Sequence, residues 1–290
     1  MLTVNGNSVT GSNLPLVDGK TWYVNSNNSV SGDGKSVAGG FATIAEALAV
    51  AGNYDTIIVI QASIMTCPTA GWTITQTGLK ILGSNTSPGT QANAIKKIAG
   101  TAPIFTIKAD RVEIAGLCLS QRIAYPCIMI GDTAGQAYYQ VYIHDCNIEG
   151  QSATYGITPG PYASAYNDQC DPVNLVVENN LFRGFATAAI VANGTRDSYV
   201  GNTIFVSADG IGISMFKTSG RDYTNITDNY LSGLAATNTK GILFAGTPTA
   251  GTLFLTRNYL CGTWNVTITD VGGGCNNYVT DASGGALINC

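Results

Sequence analysis

Leu175-Val-Val-Glu-Asn-Asn-Leu-Phe-Arg-Gly184 sets the pattern: a short strand of alternating apolar residues, an asparagine, one or two apolar residues, then glycine. The phrase returns as Val141-Tyr-Ile-His-Asp-Cys-Asn-Ile-Glu-Gly150, Thr224-Asn-Ile-Thr-Asp-Asn-Tyr-Leu-Ser-Gly233 and Leu253-Phe-Leu-Thr-Arg-Asn-Tyr-Leu-Cys-Gly262. Tyr199-Val-Gly-Asn-Thr-Ile204 is a looser copy and Val112-Glu-Ile-Ala-Gly-Leu-Cys-Leu119 an earlier one. The shared asparagine falls at Asn180, Asn202, Asn229 and Asn258, in steps of 22, 27 and 29 residues, and Cys146 takes its place in the copy ending at Gly150. A second marker keeps pace: short apolar strands centred on Ile128, Ile157, Ile190, Ile213 and Ile242 follow the copies. Two markers advancing together mean one structural coil per repeat, with insertions confined to loops.

Strands of four or five residues are too short to bury a face alone, so successive coils must stack into one continuous core. Equivalent strands then pair in parallel about 4.8 Å apart. Parallel connections are overwhelmingly right-handed. The sequence therefore predicts an all-β fold, a right-handed parallel β-helix. Asparagine at a tight turn tolerates unusual backbone angles and can bond its equivalents above and below, so Asn180, Asn202, Asn229 and Asn258 are read as a structural ladder rather than as ligands.

A solenoid needs its open apolar end covered. Phe41-Ala-Thr-Ile-Ala-Glu-Ala-Leu-Ala-Val-Ala51 places Ile44, Leu48 and Ala51 on one helical stripe, and Thr43 with Glu46 has capping-box spacing. This predicts an N-terminal capping helix near 41–51, followed by a buried strand, Asp55-Thr-Ile-Ile-Val-Ile60. The expected organisation is an N-terminal arm over 1–20 and a single β-helix domain over 21–290, with an atypical end after 262.

Composition narrows the partners. Of 290 residues only 11% are charged, and 14 Lys and Arg against 18 Asp and Glu leave a net charge of −4. Without a basic run there is no electrostatic footprint for nucleic acid. No apolar run reaches the length of a membrane span. The opening Met1-Leu-Thr-Val-Asn-Gly6 lacks the charged and apolar regions of a secretory signal, which predicts a chain made in the cytoplasm. Eight cysteines, at 67, 118, 127, 146, 170, 261, 275 and 290, show no zinc spacing and are expected to be mainly buried thiols, with a few disulfides as the alternative. No metal or cofactor is predicted.

The segment from Trp22-Tyr-Val-Asn25 through Gly32-Asp-Gly34 and Phe41-Ala-Thr-Ile-Ala-Glu-Ala-Leu48 to Asp55-Thr-Ile-Ile-Val-Ile60 resembles the opening of pectate-lyase-like parallel β-helix proteins. The resemblance runs through the asparagine-bearing coils to about residue 262. It is specific for fold rather than activity, because this scaffold hosts many functions. Members without a signal peptide resemble virion proteins of tailed bacteriophages. There, trimeric tailspikes bind or cleave surface polysaccharide, and shorter trimeric β-helices cement and decorate capsids. A tailspike carries further domains on both sides of its β-helix, whereas here about 20 residues precede the first strand and fewer than 30 follow the last clear coil. The resemblance thus implies a homotrimeric capsid cement or decoration protein in the virion, bound to the major capsid protein or other virion proteins. A receptor-binding or depolymerising tailspike, or a stand-alone polysaccharide lyase or hydrolase, is the alternative.

Chemistry on polysaccharide would need paired carboxylates, or an acidic calcium cluster with a base. Aligning the coils stacks Glu149 over Arg183 and Asp228 over Arg257, so these acids meet cations rather than one another. Asp145 stacks over Asn179, and His144, the sole histidine, over Glu178. The His144–Glu178 pair is the best candidate for a tuned base, weighed against a plain surface ion pair. Asp168-Gln-Cys-Asp171 lies in a long insertion with Gly160-Pro-Tyr-Ala-Ser-Ala-Tyr-Asn167, whose tyrosines suit a protein interface and a sugar equally. No residue is assigned a catalytic role.

Overall fold

Short strands and a repeated turn leave one way to bury the apolar positions, and the computed structural model adopts it. It describes residues 2–4, 7–9, 19–60, 63–84, 94–133, 135–161, 170–207, 209–215, 224–233, 240–244, 253–262, 266–268, 277–280 and 286–288. The fold is a right-handed parallel β-helix with three sheets along its length. The first sheet stacks nine strands from Thr21–Asn25 to Leu253–Thr256. The second begins at Met65–Thr66 and the third at Trp72–Ile74. One coil visits all three in turn, as Tyr142–His144, Asn147–Gly150 and Tyr155–Pro159 do.

Register puts like residues on top of one another. In the third sheet Ile128, Ile157, Ile190, Ile213 and Ile242 are successive partners, and all five are fully buried. The first sheet has its own inward column, Ile81, Ile114, Ile143, Val177, Tyr199, Ile226 and Leu255. Burying each such side chain contributes roughly 1.5–3 kcal/mol. A three-residue strand cannot retain that alone, so the core exists only as a stack.

Two turns per coil pass through left-handed backbone, and each forms a column. The turn after the first sheet uses Gly116, Asp145, Asn179, Gly201, Asp228 and Arg257, with φ between 53° and 65°. The turn leading back into the first sheet uses Tyr54, Gly78, Arg111, Gln140, Asn174 and Arg196, with φ between 58° and 72°. Members of the second column are tied by backbone bonds through the neighbouring turn residue, as in Gln140 N–H to Val173 O (2.8 Å) and Asn174 N–H to Thr195 O (2.9 Å).

The helix is shorter than the predicted 41–51, spanning Ile44–Val50. Phe41 is withheld from it because its backbone completes the edge of the first strand: Phe41 N–H donates to Tyr23 O (2.8 Å) and Asn25 N–H donates to Phe41 O (2.9 Å). Gly34 O accepts from Tyr23 N–H alongside, and a side chain at residue 34 would collide with the Phe41 ring. The edge is thereby closed to further strand pairing. Thr43 caps the helix, with the reciprocal Thr43–Glu46 bonds of a capping box. Ile44 and Ala47 are buried, while Leu48 and Ala51 pack against the margin of the core.

Asp55 fastens this end. Its carboxylate accepts from Lys20 N–H (2.7 Å), Gly52 N–H (2.8 Å) and the Trp22 indole (2.8 Å), and the residue is 5% exposed. Within the predicted arm, Leu2–Val4 and Asn7–Val9 pair antiparallel, and most of 1–18 lies outside the described residues. Sheet stacking continues beyond 262: Val266–Ile268 and Asn277–Thr280 add parallel strands, and Ala286–Ile288 then pairs antiparallel. Among the described residues no helix is long and apolar enough to cross a membrane.

Candidate functional site

Asn180, Asn202, Asn229 and Asn258 lie one above another at the turn after the first sheet, each at most 1% exposed. Each Oδ1 accepts the backbone N–H at the same position one coil earlier: Cys146 to Asn180 (2.9 Å), Asn180 to Asn202 (3.0 Å), Asn202 to Asn229 (2.9 Å) and Asn229 to Asn258 (3.1 Å). Each Nδ2 donates to a strand carbonyl of that earlier coil, at Ile143, Val177, Tyr199 and Ile226, always 2.9 Å away. Successive amides also bond each other, at 3.2, 3.0 and 2.9 Å. Donors and acceptors are thus consumed inside the protein. Cys146 heads the column because it needs only its backbone N–H, and its thiol bonds His144 O (3.2 Å).

Outward positions of the first sheet gather the ionisable side chains, because Ile81, Ile114 and Ile143 take the inward ones. Lys80, Glu113 and Tyr142 are ladder partners, and so are His144 and Glu178. Opposite placement does not become a bond, however. The imidazole turns away from Glu178: Nε2 lies 3.3 Å from Glu113 of the coil before, Nδ1 lies 2.8 Å from the adjacent Asp145, and the Tyr142 ring stacks on it with centroids 4.0 Å apart. Glu178 instead accepts the Tyr142 hydroxyl at 2.6 Å. The expected His144–Glu178 pair is therefore corrected to a chain Lys80–Glu113–His144–Asp145, with Tyr142–Glu178 beside it. Lys80 has already drawn Glu113 into place at 2.8 Å, and Tyr142 satisfies Glu178.

This geometry limits the chemistry available. A general base needs a lone pair aimed at a substrate proton, and both nitrogens of His144 face carboxylates. Burial on its own would raise the Glu113 carboxyl, but hydrogen bonds from Lys80 and His144 outweigh it and hold the group below its ordinary range. It is thus a poor proton donor. Burial and the Glu178 carboxylate push the Tyr142 hydroxyl up to about 12, so it stays protonated at neutral pH. Lys80 and Asp145 are largely exposed, and each such pair contributes under about 1 kcal/mol.

Glu149 sits opposite Arg183 in the second sheet. Asp228 receives a two-pronged bond from Arg257, both contacts 2.7 Å. Asp145 and Asn179 occupy equivalent left-handed positions, with the Asp145 carboxylate given to His144. Asp171 begins the strand Asp171–Val173, which pairs with Ala137–Tyr139. Asp168 lies outside the described residues, as does most of the tyrosine-bearing insertion. Among the described residues no group of three His, Cys, Asp or Glu is placed to hold a metal.

Six cysteines are described, all as free thiols; Cys67, Cys118, Cys127, Cys146 and Cys170 are buried, and Cys261 is half-buried. Cys275 and Cys290 fall outside the described residues. Burial pushes the Cys67 and Cys146 thiols up to about 12 and raises Cys118, Cys127 and Cys170 as well. Thiolate is the reactive form. Brief iodoacetamide treatment followed by peptide mass spectrometry should therefore modify Cys261 in the native protein and reach those five only in denaturant. Native modification of Cys127 or Cys146 would contradict their burial.

Sequence reasoning missed two groups. Asp197 repeats the Asp55 device, accepting from Leu175 N–H (2.9 Å) and the Tyr199 hydroxyl (3.0 Å). Its only signal is an aspartate directly before a strand, Asp55 before Thr56–Ile60 and Asp197 before Ser198–Val200. Lys97 points inward, fully buried, with its ammonium on Pro68 O (2.5 Å) and Thr69 O (2.9 Å). In Ile95-Lys-Lys97 only the strand register tells which lysine turns in. No family model matches this chain, and no curated protein sequence matches it either.

Proposed function

We propose that this chain is a virion structural protein of a tailed bacteriophage, a pectate-lyase-like β-helix that trimerises and seats on the capsid as a cement or decoration protein. The observation that carries this reading is where the polar groups are spent. The asparagine ladder, Asp55, Asp197 and the Lys80–Glu113–His144–Asp145 chain all face partners within the coil stack, which suits a strut better than a reaction centre. The described stack of nine strands in the first sheet makes a rod about 40 Å long. Such a rod is stiff, because each coil is bonded to the next on every side. Tying neighbouring capsid subunits together adds buried area to a thin shell, and binding the assembled state alone stabilises it by mass action. Exposed Tyr230, Phe254 and Tyr259 near the C-terminal coils offer the aromatic surface that interfaces favour. A specific contact would bury roughly 800 Å² on each partner.

Light scattering after gel filtration should give a particle about three times the 30.1 kDa chain. Quantitative mass spectrometry of the source particle should then find it in many copies over the shell. A monomer, or a few copies at the tail, would overturn the cement reading. Incubation with host capsule or lipopolysaccharide should leave the polymer length unchanged, and clear shortening would favour a depolymerase.

A further inference from the structure

The two left-handed turn columns are built from different residues. After the first sheet, five of six members are Gly, Asp or Asn (Arg257 being the exception), the types that tolerate this backbone. At the turn leading back into the first sheet only Gly78 and Asn174 are; Tyr54, Arg111, Gln140 and Arg196 hold the same backbone at a conformational cost. One chain solves the same turn both ways, so the long side chains of the second column are kept for something other than backbone comfort. All four are exposed.

We propose that this column is a docking track for an extended acidic segment of a partner protein. Arg111 donates to Gln140 Oε1 (3.1 Å) and to the Tyr54 hydroxyl (3.4 Å), and Arg196 has no side-chain partner among the described residues. Neither arginine meets a carboxylate there, on a chain whose net charge is −4. The acids adjacent to them in sequence are engaged: Asp110 accepts Tyr139 N–H (2.9 Å), and Asp197 accepts Leu175 N–H (2.9 Å) and the Tyr199 hydroxyl (3.0 Å). Between the two arginines lie Gln140 and Asn174, whose amides can pair with a peptide backbone. Beside them runs an open groove of about 320 Å³ with Val141, Val176 and Tyr142 in its wall, ample for an aliphatic side chain.

The spacing sets the motif. Arg111 and Arg196 are three coil steps apart, about 14 Å at ~4.8 Å per step, which an extended peptide spans in about four residues at ~3.3 Å each. The fitting ligand is thus acidic at its first and fifth residues with a small aliphatic one between. Guanidinium forks bind carboxylates with two parallel bonds.

The test uses the isolated full chain, so its result is separate from the virion reading. A fluorescein-labelled Glu-Ser-Val-Ser-Glu peptide is titrated in low salt beside Lys-Ser-Val-Ser-Lys, Ser-Ser-Val-Ser-Ser and an oligogalacturonate. The acidic peptide should bind at least about tenfold more tightly than either control. Arg196→Asn, placing a residue suited to this backbone, should melt no lower than the parent and weaken the peptide about tenfold. Arg111→Asn, which also gives up two internal bonds, should do the same to binding. Equal binding of the three peptides, or unchanged affinity in Arg196→Asn, overturns the proposal. Arginine-dependent binding of the oligogalacturonate without the acidic peptide overturns it in favour of a glycan.

Discussion

Asn229→Ala should destabilise the protein by about 3–5 kcal/mol, the largest loss expected from any single polar substitution in the ladder. Asn229 sits between two other rungs. Its Oδ1 accepts Asn202 N–H and the Asn202 amide, and its Nδ2 serves Tyr199 O, Thr227 O and Asn258 Oδ1. Alanine leaves these groups buried, where water cannot replace the lost partner, and each buried unpaired group costs about 1–3 kcal/mol. Because each coil touches only its neighbours, the damage should start locally. Hydrogen exchange should quicken first at the Asn202 N–H, which loses its acceptor, and spread from there. Urea unfolding measures the total. A loss below about 1 kcal/mol would mean that the amide column is not a buried, bonded structure.

Loss of the Asp55 carboxylate is the second large effect expected. Asp55→Ala strands two backbone N–H groups and an indole, and should cost about 2–4 kcal/mol, with faster exchange concentrated in residues 19–60. Asp55→Asn tests the charge, because its amide would turn N–H groups toward donors. The sign of the pH effect follows from the carboxyl. Burial on its own would raise it, but the bonds from Trp22, Gly52 and Lys20 hold it below the ordinary range. Its stabilisation is therefore fully present above the unfolded value of about 3.9 and is lost as pH falls through the lower folded value. Glu113 is shifted the same way. The stability gap between the parent and Asp55→Asn should be constant near neutrality and narrow below about pH 4. A gap that stays open down to pH 2 would show that the clamp does not depend on ionisation.

How much of this was legible depended on how often a feature recurs. The asparagine repeats in four copies at one place in the phrase, so its structural role is legible from the sequence. The N-terminal motif was legible too, though not its cause. Trp22 and Asp55 occur together because one bonds the other, 33 residues apart in sequence. The Asp55 and Asp197 clamps went unread because only two of the described coils carry them; Leu79, Val112 and Val141 stand at the same point in others. Strand alignment correctly set His144 opposite Glu178. It could not say which carboxylate the ring would choose, since the choice lies in side-chain torsions set by Tyr142, Lys80 and Asp145 together.

By itself the sequence determined the architecture: strands of alternating apolar residues, too short to stand alone and recurring with a turn asparagine, have no other way to bury their inward faces than to stack in register. Only the tertiary structure decided what the outward residues do. Alternation sets the face on which a side chain emerges, but its partner depends on residues brought alongside from coils 31 to 36 positions away, as for His144 with Glu113 and Tyr142 with Glu178.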